Sequence, residues 1–147
     1  EILMRVNVKR LDSRAKLPAF SSSAAAGADL FAILDADLLI APGETVLVHT
    51  GLAMEIPEGF VGLIYARSGL ASKRGLAPAN KVGVIDADYR GEIMVALHNH
   101  SLAAQTIANG ERIAQMVISQ VPVIEYDEVT ELSDTIRGDG GFGSTGR

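Results

Sequence analysis

Cysteine is missing from all 147 residues, so neither a disulfide framework nor a thiolate-bound metal can hold this chain together. A reducing compartment, by default the cytoplasm, suits it. Basic residues are also in short supply: 13 Lys and Arg face 18 Asp and Glu, for a formal charge of −5. That balance argues against broad electrostatic binding to nucleic acid or an anionic membrane, and a strongly negative ligand must find a local group of cations. Long hydrophobic runs are lacking too. The longest apolar stretches, such as residues 113–123, are broken by polar side chains, and the N-terminus lacks the charged-then-apolar order of a signal peptide. We therefore expect a soluble, unexported protein, with a few residues trimmed ahead of Glu1. No tandem repeat or internal linker breaks the chain, and its length with almost half the residues apolar suits one domain and one core.

What is present reads as β-structure. Ile2, Met4, Val6 and Val8 alternate with Leu3, Arg5, Asn7 and Lys9, a period-2 pattern that predicts an opening strand. Short β-branched runs then recur between turn signals: residues 45–56 after Ala41-Pro42-Gly43, residues 60–65 after Pro57-Glu58-Gly59, and residues 111–121 after Asn109-Gly110. Residues 82–85 and 92–97 flank a polar tip, Asp86-Ala87-Asp88-Tyr89-Arg90-Gly91, and predict a hairpin. Only residues 68–73 look helical. The spacing suits a sandwich, barrel or jelly roll.

The last eleven residues, 137–147, include five glycines and cannot pack a core of their own; we expect a mobile arm beyond a domain of residues 1–136. Its order suggests more than a loose end. Glycines let backbone N–H groups crowd around phosphate oxygens, Ser144 and Thr145 add hydroxyls, Arg137 adds a forked cation, and Phe142 offers a ring for a base. The segment nearly spells a Walker A loop, but its lysine is missing and no helix can follow, which rejects a P-loop NTPase.

The arm resembles the fifth motif of the trimeric dUTPases, and four more motifs stand in that family's order. Ala26-Gly27-Ala28-Asp29-Leu30 resembles the first and Arg67-Ser68-Gly69-Leu70-Ala71 the second. Residues 80–92, with Gly83-Val84-Ile85-Asp86-Ala87-Asp88-Tyr89-Arg90-Gly91, resemble the third, and Gly110-Glu111-Arg112-Ile113-Ala114-Gln115 the fourth. The resemblance covers nearly the whole chain. It implies an all-β, jelly-roll-like subunit with one short helix and a glycine-rich arm, forming a homotrimer whose sites are shared between subunits. It also implies hydrolysis of dUTP to dUMP and pyrophosphate with Mg²⁺, limiting uracil in DNA and supplying dUMP for dTMP synthesis. Asp86 would orient the attacking water, and Tyr89 would lie under the deoxyribose and reject a 2′-hydroxyl. The slot for uracil would be formed by Asn80, Gly83, Val84, Ile85 and Met94. Arg67, Ser68, Gly69, Gln115 and Arg137 would hold phosphates, Asp29 would reach the metal through water, and Phe142, Gly143, Ser144 and Thr145 would close over the nucleotide. Arg112 reads as structural, as Asp29 also can.

Two positions depart from the family pattern: Ala28 stands where an aromatic is common, and Ala66 where proline commonly precedes the arginine. Neither removes a reacting group. Of the three histidines, His49, His98 and His100, the last two share a strand face, but two imidazoles without a third ligand do not make a zinc site. A dCTP deaminase sharing the fold, a non-catalytic nucleotide-binding regulator and a plain β-sandwich interaction domain remain as rivals. The complete fifth motif and the presence of Asp86 favour the hydrolase.

Overall fold

A computed structural model describes residues 3–144 and 146. In chain order its elements are β1 (Asn7–Arg10), β2 (Ala19–Phe20), β3 (Ala28–Phe31), β4 (Leu38–Ile40), β5 (Thr45–His49), β6 (Leu52–Glu55), β7 (Phe60–Tyr65), α1 (Ser68–Arg74), β8 (Leu76–Pro78), β9 (Gly83–Ile85), β10 (Met94–Asn99), β11 (Gln105–Ile107) and β12 (Arg112–Gln120). The largest sheet runs β2-β3-β12-β7-β9, a second runs β5-β10-β8, and β1-β6 and β11-β4 form two ribbons. Every pairing is antiparallel. The sheets close around one apolar core in the expected jelly-roll-like, all-β arrangement.

Alternation builds that core. Along β10, Val95, Leu97 and Asn99 point inward while Met94, Ala96 and His98 are half-exposed. Leu30, Ile40, Leu52, Leu76, Leu97, Ile107 and Ile113 are fully buried, each contributing about 1.5–3 kcal/mol relative to exposure. The buried Asn99 is satisfied: its amide donates to the carbonyls of Ile40 and Ala103 at 2.9 Å each, and its oxygen accepts from Ser101. Among the described residues, no helix is long and apolar enough to cross a membrane.

Three local expectations change. The alternation at the N-terminus does not make a strand before Asn7. Met4, still exposed, and half-buried Val6 line an apolar groove with Phe20, Met54 and Met116 instead of entering a ladder, and Ile2 lies outside the described residues. Residues 45–56 form two strands in different sheets. The break falls at Thr50-Gly51, where Gly51 has φ +69° and a Cβ would overlap Ile33, while the Thr50 hydroxyl donates to the Ile93 carbonyl at 2.6 Å.

The third change matters for function. β9 and β10 do not pair with each other: β9 pairs with β7, and β10 with β5 and β8. The connection through residues 86–93 is too wide for a tight hairpin turn, so the strands splay and each finds a partner elsewhere.

Candidate active site

One cluster forms where β3, β12 and β7 lie side by side. Gln115 stands opposite Asp29 on one neighbour and opposite Tyr65 on the other. Arg112 and Gln115 are three residues apart, and a regular strand would send them to opposite faces. The register shift between Arg112 and Ala114 inserts one residue and turns both toward the Asp29 face. Asp29, only 7% exposed, is thereby neutralised by two cations: Arg67 Nε donates to Oδ1 at 2.9 Å, and Arg112 Nη1 lies 3.5 Å from Oδ2. Gln115 ties the cluster to its surroundings. Its amide donates to the Ala66 carbonyl at 2.8 Å, and its oxygen packs so closely on Gly27 that a Cβ there would overlap it. Arg67, in extended conformation (φ −87°, ψ 132°), precedes α1, with Ser68 and Gly69 exposed beside it. The structure thus brings Asp29, Arg67, Ser68, Gly69 and Gln115 together, while Arg112 is exposed and meets Asp29 only as an ion pair rather than through buried hydrogen bonds.

A second cluster surrounds the splayed strands. Leu47, Val84, Ile85, Asp86, Tyr89, Glu92 and Met94 line an open pocket of about 260 Å³. β9 is the edge of its sheet, so its backbone beside the pocket has no ladder partner. Asp86 is exposed and opens a turn closed by Tyr89 N–H to the Asp86 carbonyl at 3.1 Å. The Tyr89 ring is 40% exposed, and its hydroxyl donates to the Glu92 carbonyl at 2.8 Å. Gly91 is required beneath it, since a Cβ would overlap the phenol. Asn80, in the turn before β9, carries its amide 3.7 Å from where a Gly83 Cβ would stand.

These clusters sit at opposite ends of one strand. Ile85 is opposite Gly62, which places Asp86 beside Val61, whereas Arg67 follows the far end of β7. Arg67 lies six residue steps along from Val61, roughly 20 Å at about 3.3 Å per residue. Among the described residues, the arm joins neither cluster by hydrogen bonds. Arg137 Nε donates to the Gly140 carbonyl at 2.7 Å, and the other hydrogen bonds of the described residues 137–144 stay equally local. Val123, Tyr126, Leu132, Ile136 and Phe142 are exposed. Gly143 and Ser144 lie in turns there, and Thr145 lies outside the described residues.

Residues 13–146 match the family model described as dUTPase. The chain belongs to the dUTPase family. It is 51% identical over 146 residues to the deoxyuridine 5′-triphosphate nucleotidohydrolase of Desulfitobacterium hafniense, covering 99% of this chain and 97% of that protein. The dUTPase of Staphylococcus bacteriophage 80alpha with dUPNHPP superposes with a TM-score of 0.88 at 32% identity, covering 97% and 99% of the two chains. A mutant dUTPase from phage phi11 of S. aureus, solved to show the coordination of a structural Mg(II) ion, matches with a TM-score of 0.80 at 27% identity over 89% and 100%.

One residue of this dUTPase pocket, Glu92, escaped the sequence reading, and His49 was weighed only as a possible metal ligand. Glu92 faces His49 at 3.0 Å and accepts the Gly51 N–H at 2.9 Å. Its partners lie 43 and 41 positions away, and only the pairing of β5 with β10 brings them together. His98 and His100, for their part, stack edge to face at 4.6 Å, and His98 Nδ1 bonds the Thr45 hydroxyl at 2.7 Å. Partial burial, then the neighbouring His98 and Lys81, hold the His100 imidazole below its usual pKa.

Proposed function

We propose that this protein hydrolyses dUTP to dUMP and pyrophosphate by attack of water on the α-phosphorus, at sites built between the copies of a homotrimer. The observation that carries the reading is the exposed Asp86 carboxylate at the mouth of a slot edged by unpaired β9 backbone and floored by Tyr89. Uracil's edge offers a donor and acceptors that such backbone groups can match, and a narrow slot excludes thymine's methyl. Asn80 adds a side-chain amide, and Gly83, Val84, Ile85 and Met94 shape the walls. Tyr89 beneath the sugar leaves no room for a 2′-hydroxyl.

Phosphates need cations, and the slot has none of its own. The roughly 20 Å between Asp86 and Arg67 supports a partner copy that brings its Arg67, Ser68, Gly69 and Gln115 to the triphosphate. A third contribution comes from the arm: Arg137 pairs with phosphate, Phe142 stacks on the base, and Gly143, Ser144 and Thr145 close the site against solvent, a gating step. We assign mobility to the described part of the arm, residues 137–144, on that account. In the closed site Asp86 accepts a proton from the water it orients, help worth roughly 10²–10⁴ in rate.

The donor set for Mg²⁺ is sparse: Asp29 is buried and faces two guanidinium groups. That fits an ion held mainly by triphosphate oxygens and reached by Asp29 through water, as Mg²⁺ commonly keeps several waters. When bound, Mg²⁺ neutralises charge developing on the phosphates. The reaction removes dUTP as a source of uracil in DNA and supplies dUMP for dTMP synthesis. The cysteine-free composition suits the cytoplasm.

Incubation with dUTP, dCTP, dTTP and UTP in Mg²⁺ tests this reading. Dominant release of dUMP and pyrophosphate from dUTP is expected; ammonia from dCTP would instead indicate a deaminase, and no turnover would leave a binding protein.

A further inference from the structure

The return of the splayed hairpin hangs on Glu92, a residue that the chemistry above does not use. The Glu92 carboxylate accepts the Gly51 N–H at 2.9 Å and faces His49 Nδ1 at 3.0 Å. Gly51 reaches it because its positive φ aims that N–H away from either flanking strand. Ile93 reinforces the join: its N–H donates to the Leu52 carbonyl at 2.7 Å, and its carbonyl accepts the Thr50 hydroxyl at 2.6 Å. The main chain at Glu92 is therefore fixed to the point where β5 gives way to β6. On the pocket side, the Glu92 carbonyl accepts the Tyr89 hydroxyl at 2.8 Å.

We propose that Glu92 is a positioning residue for sugar selection: its carboxylate pins the main chain whose carbonyl sets the Tyr89 ring under the sugar. The inference rests on the proposed place of Tyr89 beneath the deoxyribose. A tyrosine ring at 40% exposure turns easily unless its hydroxyl is held, and a shift of about 1 Å in a positioning group is enough to change turnover by a large factor. The missing side chain at Gly91 lets the ring lie flat against the turn. Arg90 braces the other side, donating to the Ala87 carbonyl at 2.6 Å. The Glu92 carboxylate is held by a main-chain N–H and a histidine, and it is the charge-assisted contact in this arrangement.

The test measures kcat/KM for dUTP, UTP and dTTP in the full-length wild type and in Glu92→Ala, Glu92→Gln, His49→Ala and Tyr89→Phe. Glu92→Ala should relax the preference for dUTP over UTP roughly five- to tenfold, the scale of one lost hydrogen bond. Glu92→Gln keeps an oxygen for the Gly51 N–H and should restore most of the preference. Tyr89→Phe should relax it about as much, and adding Glu92→Ala should do little more, since both act through one contact. Preference over dTTP should stay unchanged throughout, because the uracil edge is read elsewhere; a purely structural loss would lower all three substrates alike. An unchanged dUTP-to-UTP ratio in Glu92→Ala overturns the proposal. If that variant does not fold, His49→Ala carries the test, with a roughly two- to threefold relaxation expected and an unchanged ratio overturning it. A wild type that accepts UTP as readily as dUTP overturns the reading of Tyr89 and this inference with it, whereas selective wild type beside unchanged variants overturns this inference alone.

Discussion

The two ends of β7 are built by opposite means. At the Arg67 end, side chains lock one another: a buried carboxylate between two guanidinium groups, and a glutamine braced on a glycine and a carbonyl. At the Asp86 end, the carboxylate is exposed, the backbone lies along an open sheet edge, and one tyrosine is held by its hydroxyl over Gly91. The arm extends this contrast: Phe142 is exposed, and among the described residues its hydrogen bonds stay within three positions along the chain. The rigid end is complete within one chain. The proposed site would complete the open end and the arm with groups from other copies.

The largest effect should come from removing the arm. Deleting residues 137–147 should take turnover below detection while sedimentation still reports a trimer; a fully active truncation would exclude the arm from the mechanism. Next in size is Asp86→Asn, which should keep dUTP binding but lower kcat by roughly 10²–10⁴. Unchanged pyrophosphate release would contradict the role given to that carboxylate. The locked end should respond differently, in stability as well as in binding. Asp29→Ala leaves Arg67 without its anchor and should cost about 1.5–3 kcal/mol by chemical denaturation, together with a raised KM for dUTP. A variant of full stability would mean that the paired charges do not hold this end together.

The smallest effect lies away from both ends. Hydrogen bonds from Arg14 hold Asp12 at about 2, below its model-peptide value of 3.8. A depressed carboxylate stabilises the fold above the higher of these values, and that contribution disappears as pH falls from 3.8 toward 2. Because Asp12 is solvent-accessible the gain is slight. The melting temperatures of wild type and Asp12→Asn should differ a little at neutral pH and converge near pH 2, and a gap that widens in acid would reverse the sign.

Much of this was legible in the order of residues. Turn signals and β-branched runs located β7 and β12, because there one local pattern agrees with the final pairing. The pairing partners of β9 and β10 were not legible, since a polar tip between two apolar runs reads as a hairpin whichever strands lie alongside. The motifs named Asp29, Arg67 and Gln115. The bulge that puts Arg112 and Gln115 on one face is a long-range consequence of packing β12 between β3 and β7, and no short pattern encodes it. Glu92 and its contact with His49 escaped for the same reason: each is an ordinary polar residue until a second strand arrives.

Mixing two inactive variants tests the assembled site most directly. Asp86→Asn and Arg67→Ala damage opposite ends of the same strand, so a site drawing its slot from one copy and its phosphate group from another can be intact in a mixed trimer. Random exchange at equal amounts should restore about a quarter of wild-type activity, one sound site in each mixed assembly. Activity no higher than that of either variant, with subunit exchange verified independently, would contradict a site built between copies.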